Sequence, residues 1–370
     1  MNMPLSASRK LLHAAAVPVL LGTLPALAFT ASAAGDIPGK TSGATASSPA
    51  HTTATPAQLG TAFVRSRQVA APAGAVRAFA PVVDRRYRAS IDTGSQAAVN
   101  SAYWSMFENG VDLPTGWTGN VPGCQRGATS SASQGATLSS LNFVRRLAGL
   151  APVRFSSTLN AHAQAAALMM SANDALDHFP PSSWRCYTRT GARTAARSNL
   201  ALAHPDIASG EIVEMYMDDI GASNYGVGHR RWVLNPFATT MGSGSTGTAN
   251  ALQVIGPTRR GRPNPAYVPW PTNGWFPSTL EPQGRWSLSA GNSRTDFRRA
   301  RIHVSHDGQS LAVHRYPVEN GYAQPTVVWQ LPSGAQPSGS YHVVVKNIRH
   351  RGSAKRFTAR YTVRFFTPTR

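Results

Sequence analysis

Gly226-Val227-Gly228-His229-Arg230-Arg231-Trp232-Val233-Leu234-Asn235-Pro236 is the most distinctive stretch of the chain. Glycines beside a histidine let the backbone come close to a partner or take a positive φ. A few residues on, Met241-Gly242-Ser243-Gly244-Ser245 reads as a further Gly-rich turn. Upstream, Asp177-His178-Phe179-Pro180-Pro181 follows an Ala- and Met-rich helix and makes a second loop of the kind that carries sites.

Helical periodicity frames these loops. Leu138, Leu141, Val144, Arg145 and Leu147 share one face after Thr137, and Gly149 with Pro152 ends that helix. Ser156-Ser157 supplies an N-cap pair for a second helix. Its Leu159, Ala163, Ala166 and Met170 form an apolar stripe whose small residues allow another layer to approach closely. His162 lies beside that stripe, on the helix surface. A third helix is predicted over 208–220, where Glu211, Glu214, Asp218 and Asp219 read mainly as a solvated face. Residues 97–107 form a helix with Val99 and Tyr103 on one side, an N-terminal appendage to this domain.

His178-Phe179, Ser198-Asn199-Leu200, Gly228-His229-Arg230, Asn235-Pro236 and Met241-Gly242-Ser243-Gly244 follow one another in that order. The series resembles the CAP superfamily: cysteine-rich secretory, antigen 5 and pathogenesis-related proteins, also called SCP-like extracellular domains, and among them the bacterial members. It spans about 138–255. The resemblance implies an α-β-α sandwich whose cleft holds two histidines and two acidic residues. His178 resembles the first histidine and His229 the second. The family's first glutamate precedes an Asn-[Ile/Leu] pair, and here that position is Ser198. Its second ends a Trp-x-x-Glu stretch, to which Tyr216-Met217-Asp218-Asp219 is similar, so Asp219 is the nearest match. The expected cleft residues are therefore His178, Ser198, Asp219 and His229, with His178 and His229 as the ligands of any metal.

After Gly256 the texture changes. Pro257, Pro263, Pro265, Pro269, Pro271 and Pro277, with Trp270 and Trp275, make 257–284 a Pro/Trp-rich linker. Beyond it the period becomes two. Arg301-Ile302-His303-Val304-Ser305 reaches an Asp307-Gly308 turn and returns through Leu311-Ala312-Val313, a β-hairpin. Strands follow at 326–331, at 341–345 and at 357–365, where Phe357, Ala359, Tyr361, Val363 and Phe365 alternate with polar residues. Residues 285–370 are thus expected to form an immunoglobulin-like or fibronectin-like β-sandwich. The fold class is α+β, with the CAP domain over 82–256.

The start of the chain bears on compartment. Arg9 and Lys10 precede an apolar run from Leu11 to Ala28, and Ala31-Ser32-Ala33 offers an A-x-A cleavage site, so 1–33 reads as a secretory signal peptide. No later stretch approaches the ~18 uninterrupted apolar residues of a membrane span. Residues 34–81, rich in Ala, Ser, Thr and Pro, are expected as a disordered linker. Two cysteines, Cys124 and Cys186, are most simply one disulfide in an oxidising compartment, and without a C-x-x-C pair they do not make a zinc site. The expected location is extracellular or periplasmic.

The 370 residues carry 36 Lys+Arg against 16 Asp+Glu, a net charge of +20 that favours polyanionic partners. Arg230-Arg231, Arg259-Arg260-Gly261-Arg262, Arg298-Arg299-Ala300-Arg301 and Arg349-His350-Arg351 are the basic clusters. With no recognition helix or aromatic-basic motif, nucleic acid would be held without specificity, and an anionic envelope polymer or lipid is the partner expected first. G-x-S-x-G, H-E-x-x-H and P-loop signatures are absent from the sequence, and His303 and His306 fall on opposite faces of a strand. Two imidazoles and a carboxylate would hold Zn²⁺ with a position open for water. Three functions fit: a non-catalytic binding module using the His-lined cleft, a metal-dependent hydrolase using the same cleft, and an adhesive exoprotein acting through the sandwich and its basic surface.

Overall fold

A computed structural model describes residues 90–259 and 265–370. The signal peptide, the 34–81 linker, the first residues of the 82–256 segment and Arg260-Gly261-Arg262 lie outside the described residues.

The first part contains α1 (Gln96–Met106), α2 (Ser131–Leu147), β1 (Arg154–Phe155), α3 (Ser157–Asn173), α4 (Arg189–Ala195), β2 (Ser198–Leu202), α5 (Glu211–Asp218), α6 (Gly228–Val233), β3 (Thr240–Ser245) and β4 (Ala249–Gln253). Ser95, Ser130, Ser156 and Thr188 cap the first four helices, each side-chain oxygen accepting a backbone N–H three residues on. The strands form one sheet in the order β1-β3-β4-β2, parallel between β1 and β3 and antiparallel elsewhere. On one face, Ala163, Ala167 and Met170 of α3 and Ala195 of α4 bury against Leu200, Ala249 and Ala251. On the other, Met241 and Leu252 join Leu141 and Val144 of α2, Val213 and Tyr216 of α5, and Trp232 of α6. This is the expected α-β-α sandwich.

Met241-Gly242-Ser243-Gly244-Ser245 is not a turn but most of β3. Its glycines serve a close approach: a Cβ on Gly242 would run into the backbone of Leu159, and one on Gly244 into the backbone of Gln164, both in α3. The small-residue stripe of α3 therefore meets a strand that is also stripped of side chains. The Cys124–Cys186 disulfide ties the loop before α2 to the loop between α3 and α4. Its 62-residue separation would stabilise by roughly 4 kcal/mol on the chain-entropy account.

The C-terminal region is all β: β5 (Tyr267–Trp270), β6 (Gly274–Pro277), β7 (Arg285–Ala290), β8 (Thr295–Asp296), β9 (Arg301–His306), β10 (Gln309–Leu311), β11 (His314–Arg315), β12 (Thr326–Gln330), β13 (Ser340–His350) and β14 (Phe357–Phe366). One sheet runs β11-β12-β7-β5 and the other β10-β9-β13-β14-β6, with β8 pairing β13. These orders match the D-E-B-A and C-F-G pattern of an immunoglobulin sandwich, with the first strand divided so that β5 lies in one sheet and β6, parallel to β14, in the other. Trp286 packs on Tyr341 and Phe365 across the gap, at centroid distances of 5.2 and 6.0 Å.

The stretch expected as a linker, 257–284, supplies that divided strand. Its prolines are compatible with strands because β5 and β6 are edge strands, each paired on one side only, so a missing N–H breaks no ladder bond on the open side. The helix predicted over 208–220 is shorter, Glu211–Asp218, and that expected from Thr137 begins earlier, at Ser131.

Arginines, not apolar side chains alone, join the two parts. Arg230, 1% exposed, donates from Nε to Met217 O and from Nη1 to Arg285 O and Ser287 Oγ. Arg231, 3% exposed, donates to the carbonyls of Glu319 and Gln324 and lies over the Tyr322 ring. Arg285 reaches back to the carbonyls of Asp219 and Gly221. The expectation that Arg230-Arg231 belongs to a polyanion-binding surface is corrected here: both guanidiniums are internal. Burial lowers each pKa to about 10, which leaves both charged at neutral pH. At the far side, Asn100 of α1 exchanges two hydrogen bonds with Thr369, whose carbonyl also accepts from Trp104 Nε1.

Two stability outcomes follow from this packing. Gly244→Ala should cost about 1–3 kcal/mol in urea denaturation, because backbone meets backbone and neither side can yield cheaply. Arg231→Met, which strands the Glu319 and Gln324 carbonyls, should cost on the order of 3 kcal/mol in the same measurement.

Candidate functional site

Two left-handed residues build the site. α5 ends where Asp219 takes φ 52°, its N–H donating to Met215 O. α6 begins after Val227, at φ 45°, an unusual conformation for a buried β-branched residue. The positive φ expected of the glycines around His229 thus falls on the valine between them, while Gly226 leaves room for the Glu319 carboxylate. The outcome is that His229, in the first turn of α6, meets Asp219 at the end of α5.

His229 Nδ1 lies 2.7 Å from Asp219 Oδ1, with side-chain exposures of 13% and 0%. Asp219 Oδ2 accepts the N–H of Arg230 at 3.2 Å. Tyr216 stacks on the His229 ring at 5.4 Å, held by its own hydroxyl donating to Asn250 Oδ1. Asn199 Nδ2 donates to the His229 carbonyl at 3.1 Å. The imidazole is therefore fixed in plane, in position and in tautomer: Nδ1 carries the proton, and in the neutral ring Nε2 is the acceptor.

His178 is treated alike from another element. It is 5% exposed, and its Nδ1 lies 2.8 Å from the carbonyl of Ala195, at the end of α4. Burial lowers its pKa to about 4; the Ala195 carbonyl opposes the shift and the charge of His229 adds to it. The two rings are thus electrostatic neighbours. Ser198 opens β2, 3% exposed, and its hydroxyl donates to Thr194 O at 2.8 Å. It occupies the matched position but is turned to its own chain.

The carboxylates divide unexpectedly. Asp219 orients His229 through Nδ1, so it stands behind the ring rather than beside it as a fellow ligand. Asp218, read as solvated, has its pKa raised to about 8 by burial and by Glu214, against the pull of Arg230. Among the described residues no group of three His, Cys, Asp or Glu side chains is arranged to hold a metal. Catalytic zinc takes three protein ligands, and the donor set here offers two imidazoles. The residues present therefore do not fit a resident Zn²⁺. Tyr216 and Asn199 support the site without having been marked by the sequence, although both lie inside the matched motifs.

The depressed His178 pKa sets a pH dependence. The folded ring stays neutral down to about 4, while the unfolded one protonates near 6.5. Its contribution is fully present above pH 6.5 and is lost as pH falls toward 4, on the order of 3 kcal/mol in all. Denaturation midpoints measured across that window should fall for the native chain and fall less for His178→Gln.

A model of the family described as CAP, the cysteine-rich secretory protein family, matches residues 138–255. No curated protein matches the chain. Among solved structures, PcoC, a methionine-rich copper resistance protein from Escherichia coli, is similar at 14% identity and a TM-score of 0.21, over 26% of this chain and 93% of that one. A score that low carries no argument. The family match and the three-layer architecture agree on the same segment, and residues 138–255 are a CAP domain of the cysteine-rich secretory protein family.

Proposed function

We propose that the protein is exported and serves as a non-catalytic binding module, its CAP histidine site taking an envelope component or other extracellular ligand. One observation supports this reading: the carboxylate and the hydroxyl at the matched positions beside the two histidines are turned to protein partners. Asp219 spends one oxygen on His229 and the other on the Arg230 N–H, and Ser198 donates to Thr194. Recognition needs only fixed donors and acceptors, whereas hydrolysis here would have to draw its base from an imidazole, with neither Asp219 nor Ser198 turned toward a substrate. Two imidazoles, each oriented through Nδ1, present ring nitrogens of defined direction.

Apolar surface beside the site favours a lipid-like ligand. Phe179 is 63% exposed and Ile220 54%, and they directly follow His178 and Asp219 in the chain. Large exposed apolar side chains at a polar site suit a ligand with a hydroxyl-bearing head and an apolar body. Export is supported by the signal-like segment 1–33 and by the Cys124–Cys186 disulfide. Among the described residues no helix is long and apolar enough to cross a membrane.

Co-sedimentation with phosphatidylcholine vesicles at high salt tests the reading, because uncharged lipid and screening remove the contribution of net charge. The full chain should bind, and His178→Gln/His229→Gln should bind about tenfold more weakly. Equal binding by both proteins, or none by either, overturns this lipid reading of the site. A parallel Zn²⁺ titration by calorimetry should show no stoichiometric binding that depends on the two histidines; finding it would revive the hydrolase alternative.

A further inference from the structure

The all-β region holds a second cluster that the histidine site does not use. A cavity of about 340 Å³ is lined by Asp296, Arg298, Arg299 and Arg349. β8 and β13 run antiparallel with Asp296 directly opposite Arg349. The chain then turns from β8 into β9, with Phe297 and Ala300 buried and Arg298 and Arg299 left outside between them. Asn347 of β13 donates to the Arg299 carbonyl at 2.7 Å and fixes that turn. The arginines are thus set on a rigid corner, not on a free loop.

Their charges are unbalanced. Both oxygens of Asp296 are engaged by Arg298, through Nε and Nη2 at 2.9–3.2 Å. Among the described residues no carboxylate pairs with Arg299 or Arg349, and Arg349 Nε is buried without a hydrogen-bond partner. Arg349 has its pKa lowered by burial and by the neighbouring charges of Arg356, Arg299 and Arg298, with Asp296 opposing. Three guanidiniums against one committed carboxylate leave the cavity with a net charge of two, positive.

We propose that this cavity is an oxyanion site that takes a phosphate group, with Arg299 and Arg349 as its ligands and Arg298 held in place by Asp296. Planar guanidinium forks match the oxygens of phosphate bidentately, and an anion there relieves the repulsion between them. The chemistry is shared by free polyphosphate and by the phosphodiesters of a polymer. The site stands apart from the histidine reading and does not depend on it.

Calorimetric titration of the full chain with inorganic tripolyphosphate tests this, alongside Arg299→Gln, Arg349→Gln and Arg189→Gln. Arg189 is an exposed arginine of α4, so the last variant removes the same charge elsewhere. Saturable binding is expected, about tenfold weaker in Arg299→Gln and in Arg349→Gln and unchanged in Arg189→Gln. Absence of saturable binding, or equal weakening by all three variants, would overturn the proposal in favour of diffuse attraction to a basic protein. Arg299 is exposed, so its variant keeps the test valid should Arg349→Gln fail to fold. Repeating the titration with a short oligodeoxythymidine separates the sources. Loss in the same two variants assigns polymer phosphodiesters; dependence seen only with tripolyphosphate assigns free or terminal phosphate.

Discussion

A guanidinium leaves water only where backbone carbonyls take over its hydration, and this molecule does so three times at structural joints. Arg145 of α2 donates to the carbonyls of Ala151, Val233 and Asn235, which fixes α2 to the end of α6. Arg230 and Arg231, on α6 itself, carry the same kind of bonding across to β7 and to the segment before β12. α6 is therefore held from both sides by charge-assisted hydrogen bonds, and it is the helix that carries His229. The histidine site and the seam between the two parts of the chain are one construction: the residue after His229 gives its N–H to Asp219 and its side chain to the sandwich.

Much of this was visible in the sequence, and the failures share a cause. Periodicity located α2, α3, β9, β12, β13 and β14, most plainly in β14, where buried and open positions alternate. It missed the first turn of α2, where Ser131, Ser133 and Gln134 carry no apolar signal and only the Ser130 cap marks the start. It took β3 for a turn because glycine is read as conformational freedom, whereas here it is absence of bulk under α3. It took 257–284 for a linker because proline is read as a strand breaker, whereas an edge strand tolerates it. The Arg230-Arg231 pair looked like surface charge because composition carries no depth.

The site was legible as a set of positions and not as a set of roles. The ordered motifs placed His178, Ser198, Asp219 and His229 in one domain. They did not show that Asp219 works through the far nitrogen of the His229 ring, or that Ala195 performs the same service for His178 with a backbone carbonyl. A carboxylate stands behind one ring and a carbonyl behind the other, two different partners in the same geometry. Burial with only a neutral partner favours the uncharged form of His178.

The pairing of α1 with the last residues has a mechanical consequence. Asn100 and Trp104 grip Thr369, and Arg370 lies over the Trp104 ring. The beginning and the end of the described chain therefore emerge side by side. A pull between them loads the Thr369 bonds together with the Ile91 and Thr93 backbone bonds that anchor the entry to α1. Force applied at the two ends would thus enter the molecule at one place, the junction of α1 with the chain beyond β14.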